Sequence, residues 1–311
     1  MAFTANDVKN LREMTGVGML DCKKALAEND GDMDKAVEWL REKGLAAAQK
    51  KAGRIAAEGM AYATVIGDIG VVVEVNAETD FVSKNDLFIE FVQSVAKVIA
   101  TFAPVDLETL MKLPYLKTGL TVEQAQQEKV LVIGENIKVR RFARFDGGMN
   151  IAYNHMGGRI GVLVNMEVSD GLEENPVIVE LGKDVAMQIA AMRPTFLDKS
   201  DVDQSILDKE KEILMMQARN ENEQSAKPKP EAILEKMVMG RLGKYYEENC
   251  LLQQAFVKEN KISVEHHIAE VAKSVGGKIT VKGYYRFEKG EGIEKKQENF
   301  AEEIAKQLNK A

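Results

Sequence analysis

A chain of 311 residues, 45% hydrophobic and 29% charged, is long enough to bury more than one core and should divide into two or three units. Its formal net charge of -7 argues against a general nucleic-acid binder, because phosphate contacts need a dense Lys/Arg surface that releases counterions, and so favours a protein partner. Cys22 and Cys250 match neither a disulfide framework nor a zinc site, and neither a leader-like start nor a membrane-length apolar stretch is present, so the expectation is a cytoplasmic protein with no membrane association and two inert thiols.

Residues 4 to 43 read as three short helices sharing one small core. The apolar positions are Val8, Leu11 and Met14, then Leu20, Ala25 and Leu26, then Met33, Ala36, Val37 and Leu40, all at helical spacing. Gly16 and Gly18 punctuate the first junction and Asn29-Asp30-Gly31 the second; Asp32 stands where an N-cap is wanted and Gly44 where the third helix should stop. A three-helix domain over 1–44 is followed by an alanine-rich, basic helical linker over 45–58.

The centre holds an internal repeat. Gly70-Val71-Val72-Val73-Glu74-Val75 lies over Gly161-Val162-Leu163-Val164-Asn165-Met166, and after a one-residue loop difference Val95-Ala96 falls on Val185-Ala186 and Ile99-Ala100 on Ile189-Ala190. Each copy has an earlier strand, residues 60–66 and 150–155, joined through Gly67-Asp68 or Gly157-Gly158, so both are antiparallel hairpins. Third strands are available at 136–145 and 278–288, the latter after a helix from Ser263 with Val264, Ile268, Val271 and Val275 on one face. The predicted class is α+β: two related antiparallel sheet-and-helix subdomains, one over 59–145 and one assembled from 146–200 and 248–288.

Between those last two pieces, residues 201–247 carry Ile206/Ile213 and Leu207/Leu214 seven apart, then a stripe of Ile233, Met237, Val238, Leu242 and Tyr245. Pro228 and Pro230 forbid one continuous helix, which predicts an inserted antiparallel coiled-coil hairpin. Residues 289–311 close the chain as a C-terminal helical module with Phe300, Ile304 and Leu308 on one face.

Enzyme chemistry finds little support. Gly240-Arg241-Leu242-Gly243-Lys244 has the wrong spacing for a phosphate loop, and Gly157-Gly158-Arg159-Ile160-Gly161 joins two strands, so it lacks the helix N-terminus that cradles pyrophosphate. His266 and His267 are neighbours about 100° apart on a helix and read as surface residues that cannot chelate as a pair. His155 ends a strand beside flexible glycines, with partner contact and simple exposure both open. Glu78 and Asp80 have nothing to split their pKa values for acid-base work. No catalytic residue, metal or cofactor is expected.

What is left is the polar loop Glu78-Thr79-Asp80-Phe81-Val82-Ser83-Lys84-Asn85 after a wholly apolar strand. On the residues alone the bland reading is preferred: Phe81 tucks into the local core, Asp80 makes an Asx-type turn, and Ser83 or Asn85 caps the next helix.

Several ordered segments shift that balance. They are Leu11-Arg12-Glu13-Met14-Thr15-Gly16-Val17-Gly18-Met19-Leu20-Asp21-Cys22-Lys23-Lys24-Ala25-Leu26, Lys50-Lys51-Ala52-Gly53-Arg54, Thr79-Asp80-Phe81-Val82, Ile133-Gly134-Glu135-Asn136-Ile137, Gly158-Arg159-Ile160-Gly161-Val162-Leu163-Val164, and Arg286-Phe287-Glu288 with Gly290-Glu291-Gly292-Ile293-Glu294-Lys295. With them the chain resembles the elongation factor Ts family, guanine-nucleotide exchange factors for the GTPase elongation factor Tu. The resemblance implies an N-terminal domain similar to ubiquitin-associated modules and a translation factor that binds elongation factor Tu with GDP and promotes GDP release. It implies that Thr79, Asp80, Phe81 and Val82 form the exchange loop, with Asp80 and Phe81 entering the GTPase near its magnesium site. Met19, Leu20 and Lys23 would face the nucleotide-binding domain, as would the C-terminal helix, and Ile133, Gly134 and His155 would contact other parts of the partner. Ala77 stands where many members have Cys, and Leu20 where a second Met is common. Self-association through the coiled-coil hairpin stays open.

Overall fold

The computed structural model describes residues 3–225 and 227–294, and the predicted helix carrying Phe300, Ile304 and Leu308 lies outside them. Helices α1 (Ala5–Thr15), α2 (Met19–Glu28) and α3 (Met33–Lys51) open the chain. Thr4 and Asp7 form a capping box at the start of α1, Gly16 ends it at φ 67°, and Asp32 accepts from the Lys35 amide to start α3. Val8, Leu11, Cys22, Ala25, Leu26, Ala36 and Leu40 make the shared core. Two expected members face water instead, Met14 at 66% exposed and Leu20 at 84%.

Gly44 does not stop α3, which runs on to Lys51, so the linker expected over 45–58 is the last two turns of this helix followed by a short irregular stretch. Gly44 is a close-approach position: a Cβ there would meet the Gln127 carbonyl oxygen at 3.5 Å. That oxygen belongs to α6 (Val122–Ile133), which with α5 (Leu107–Lys112) forms an insertion without a counterpart among the expected elements. Its start was legible as Thr121-Val122-Glu123-Gln124, a capping box that the structure contains.

Strands β1 (Glu58–Ile66), β2 (Ile69–Ala77) and β3 (Lys138–Phe145) form one antiparallel sheet in the order β1-β2-β3. Strands β4 (Met149–His155), β5 (Ile160–Val168) and β8 (Ile279–Glu288) form a second in the order β4-β5-β8. The repeat extends to detail: each middle strand carries a register shift at the matched position, Glu74/Val75 in β2 and Asn165/Met166 in β5. Each is followed by a helix, α4 (Asp86–Phe102) or α7 (Pro176–Met192), capped by Asn85 or Asn175 and ended by a left-handed residue, Ala103 or Arg193.

The two sheets meet back to back through Ala61, Ala63, Val72, Leu163 and Phe287. Small residues permit the approach: a Cβ on Gly70 would lie 2.7 Å from a Leu163 methyl, and one on Gly161 would lie 2.9 Å from the Ala61 carbonyl oxygen. Buried Glu74 reinforces the seam, accepting from Arg140 at 3.0 Å, Arg141 at 2.5 Å and the Gly290 amide at 2.8 Å. Gly290 follows β8, so the end of the second sheet is tied into the first.

Helices α8 (Gln204–Glu223) and α9 (Glu231–Asn249) fold back on each other, with Ala218 against Leu234 and Val238, and Arg219 and Arg241 paired to Glu231 and Glu221. The stripe is narrower than expected: Ile213 and Ile233 are 48% and 44% exposed. A small hairpin, β6 (Ala255–Phe256) and β7 (Glu259–Ser263), leads to α10 (Val264–Val275), whose Val264 and Ile268 join the second core. His267 stacks on Phe256 with ring centroids 4.2 Å apart, a packing role that surface exposure did not anticipate. Cys22 and Cys250 are buried, and burial pushes the Cys250 thiol up to about 11. No helix among the described residues is long and apolar enough to cross a membrane.

Candidate functional site

The Thr79–Val82 loop leaves the sheet at Ala77, the end of β2, and enters a single 3-10 turn over Val82–Lys84 before Asn85 caps α4. Val82 is 5% exposed and packs into the first core, while Phe81, next to it on a tight turn, is 80% exposed. The expectation that Phe81 tucks into the core is therefore overturned, because Val82 already fills that place. Asp80 is exposed beside it, and the Asp80 carbonyl accepts from the Ser83 hydroxyl at 2.6 Å. Leaving a phenyl ring in water forgoes about 2 kcal/mol of burial, so its position is set by the loop and not by the ring's own preference.

The loop is held from the side. Thr79 donates its amide and hydroxyl to the two carboxylate oxygens of Glu135, at 2.9 and 2.6 Å. In return Glu78 accepts from the Asn136 amide at 2.7 Å, and the Asn136 side chain donates to the Arg54 carbonyl at 2.8 Å. Lys51, at the end of α3, donates to the Gly134 carbonyl. Gly134 is the left-handed C-cap of α6 at φ 86° and is exposed, whereas Ile133 just before it packs against the first core. Thus Thr79, Asp80 and Gly134 are brought together, and Glu78, Glu135, Asn136 and Arg54 join them. Their roles rest on pairs 24 to 82 residues apart, which local spacing cannot reveal.

Glu78, Thr79, Asp80 and Phe81 line an open groove of ≈ 910 Å³ together with Glu58, Met156, Arg159, Arg193, Glu288 and Lys289. Met156 is 68% exposed and sits in the β4–β5 turn immediately after His155. That turn is pressed onto β1: the Gly158 carbonyl accepts from the Ala61 amide at 2.8 Å, and a Cβ on Gly158 would lie 2.4 Å from Met60. His155 is half-buried, with Nδ1 2.9 Å from the Tyr153 hydroxyl. Glu288 gathers Arg159, Arg193 and Arg286. Burial is the largest single influence on the Glu288 carboxyl and acts upward, but the Arg286 hydrogen bond and the charges of Arg193, Arg286 and Arg159 together hold it below its ordinary value.

Met19, Leu20 and Lys23 do not line this groove. They sit at the start of α2, and all three are exposed, with Leu20 the most prominent. Among the described residues no cluster of three or more His, Cys, Asp or Glu is arranged to hold a metal ion.

An open, charged groove with solvent-facing apolar residues on its rims suits docking of another protein better than enclosure of a small substrate. Comparison with known proteins agrees with that class and narrows it. The family profile described as Elongation factor TS matches residues 78–291, beginning at the loop and ending at the groove. Elongation factor Ts of Clostridium novyi (strain NT) is 50% identical over 311 residues, covering 98% of this chain and 99% of that protein. Elongation factor Ts of Clostridium perfringens (strain SM101 / Type A) is 51% identical over 308 residues, covering 98% of each. The chain belongs to the elongation factor Ts family of translation elongation factors.

Proposed function

We propose that this chain binds elongation factor Tu in its GDP form and promotes GDP release by disturbing the magnesium and phosphate site, so that GTP can load. It makes and breaks no covalent bond in doing so, and it works where translation takes place, in the cytoplasm. The observation that carries the reading is Phe81: a large aromatic held 80% exposed beside exposed Asp80, on a loop fixed from both sides.

An exchange factor must bind its nucleotide-free partner better than the loaded one; by linkage, nucleotide then weakens the factor to the same degree. Phe81 wedges between partner elements, Asp80 disfavours the native magnesium arrangement, and Thr79 and Val82 hold the two in place. A thousandfold faster release needs only about 4 kcal/mol of such differential stabilisation. Affinity is spread over Met19, Leu20 and Lys23 on a three-helix domain akin to ubiquitin-associated modules, over Ile133 and Gly134, and over His155 in the second subdomain. Capture of elongation factor Tu from solution by immobilised protein tests this: excess GDP should strongly reduce the captured amount, and capture indifferent to GDP would refute exchange.

The hairpin supports a second property. Ile213, Met216, Ile233 and Met239 are each more than two-fifths exposed, which favours self-association of α8 and α9 with a second copy. Sedimentation equilibrium should show a dimer that Met216→Glu dissolves; a wild-type monomer throughout the micromolar range would rule it out.

A further inference from the structure

We infer that Glu135 is a positioning residue for nucleotide release: its carboxylate locks Thr79 and thereby aims Asp80 and Phe81, setting the rate of the disruptive step and not the strength of docking. The inference rests on the exchange reading above.

The geometry is that of a crossed clamp. Glu135 receives both the amide and the hydroxyl of Thr79, at 2.9 and 2.6 Å, while Glu78 receives the amide of Asn136 at 2.7 Å. Two successive residues of one loop are thus joined to two successive residues of another, with an acid on each side. Hydrogen bonds to an ionised acceptor are about twice as strong as neutral ones, and a carboxylate that takes two donors from one residue fixes direction as well as distance. Because the Thr79 amide is bound, the backbone is pinned one residue before Asp80 and two before Phe81. On the far side Val82 anchors the turn in the core at 5% exposed. Phe81 therefore projects from a loop fastened at both ends, without packing of its own to hold it.

Glu135 reaches Thr79 because Gly134 reverses the chain at φ 86° after α6, and Lys51 holds the Gly134 carbonyl from α3. The insertion containing α5 and α6 lies between α4 and β3, in the first half of the repeat. In the second half the matching loop is fastened differently, by the Ser169 amide on the Lys278 carbonyl at 3.0 Å and the Lys278 amide on the Ser169 hydroxyl at 2.8 Å. The acid clamp thus accompanies the loop that carries the exposed aromatic.

A positioning role predicts a split between rate and affinity. With fluorescent GDP on elongation factor Tu and a titration of the full-length factor, Glu135→Ala should lower the saturating release rate about tenfold and move the half-saturating concentration less than about threefold. Thr79→Val, which removes the hydroxyl bond and keeps the amide bond, should lower the saturating rate by a smaller factor, Thr79→Ser should restore it, and the Glu135→Ala/Thr79→Val double variant should fall within about twofold of Glu135→Ala alone, because the Thr79 hydroxyl acts only through Glu135. Should Glu135→Ala fail to fold by circular dichroism, Glu135→Gln keeps the shape with a weaker acceptor and should lower the saturating rate a few-fold. An unchanged saturating rate in the folded Glu135 variant, a change confined to half-saturation, or multiplying single effects would overturn the inference. Phe81→Ala separates the two levels: if it releases GDP like wild type, the loop reading itself falls, whereas a slow Phe81→Ala beside a fast Glu135→Ala removes only the clamp.

Discussion

The loop after β2 and the loop after β5 occupy the same place in two copies of one strand-loop-helix unit, between a bulged middle strand and a helix capped by Asn85 or Asn175. In the second copy Leu172 turns inward, packs against the second core and lies where a Cβ on Gly277 would meet it at 2.4 Å. In the first copy Val82 takes the inward place and Phe81 is left outside at 80% exposed. The first loop is one residue longer than the second, and it holds Phe81 in solvent beside an inward Val82. Glu74 and Asn165 differ in the same spirit at the matched bulge: Glu74 reaches across to Arg140, Arg141 and Gly290, whereas Asn165 donates to the Gly147 carbonyl and to Asn150 nearby.

The comparison can be broken most forcefully at Glu74. Its carboxylate is fully buried, so Glu74→Ala removes the acceptor shared by Arg140, Arg141 and the Gly290 amide and should cost about 3 kcal/mol in a urea titration. Asn165→Ala, with neutral partners only, should cost about 1 kcal/mol. Equal losses would mean that the seam is not what distinguishes the halves. Next in size, Leu172→Ala should destabilise by about 1.5 kcal/mol through lost packing, while Phe81→Ala should stay within about 0.5 kcal/mol of wild type.

A smaller effect than at Leu172 is expected at Glu288. Because its carboxyl is held below its ordinary value in the folded chain, the arginine cluster contributes stability that is fully present above the unfolded value of 4.5 and is lost as pH falls through the lower folded value. Glu288→Gln should lower the thermal midpoint near neutrality by an amount corresponding to about 1 kcal/mol and flatten the acid limb of the stability curve. A variant whose midpoint runs parallel to wild type from pH 7 to below pH 4 would show that the cluster does not act through this charge.

Much of this architecture is written locally. Gly67-Asp68 and Gly157-Gly158 mark both tight turns, the valine-rich runs mark β2 and β5, and Ser263 and Gly276 bracket α10. Spacing misleads where a residue's partner is distant. Gly44 looks like a helix stop but is a place for α6 to approach, and Asn136 looks like the start of β3 but is consumed by Glu78 and the Arg54 carbonyl. Periodicity assigns Met14, Leu20, Ile213 and Ile233 to buried stripes because it records which face a residue lies on and not whether anything covers that face. The loop shows the same limit: Phe81 and Val82 compete for one inward position, and only the three-dimensional turn decides between them. The family resemblance singles out Thr79, Asp80, Phe81 and Val82, whereas the clamp from Glu135, 56 residues from Thr79, needed the fold.

The most direct measurement is a fluorescent-GDP chase from elongation factor Tu with wild type, Phe81→Ala and Leu172→Ala compared side by side at saturating factor. The two loops should separate cleanly: Phe81→Ala should retain its fold and slow release about a hundredfold, a loss of ~2.7 kcal/mol in transition-state stabilisation, while Leu172→Ala, though less stable, should release GDP within about twofold of wild type. Release at the wild-type rate by Phe81→Ala, or equal slowing by both variants, would contradict the assignment of exchange to the first-half loop.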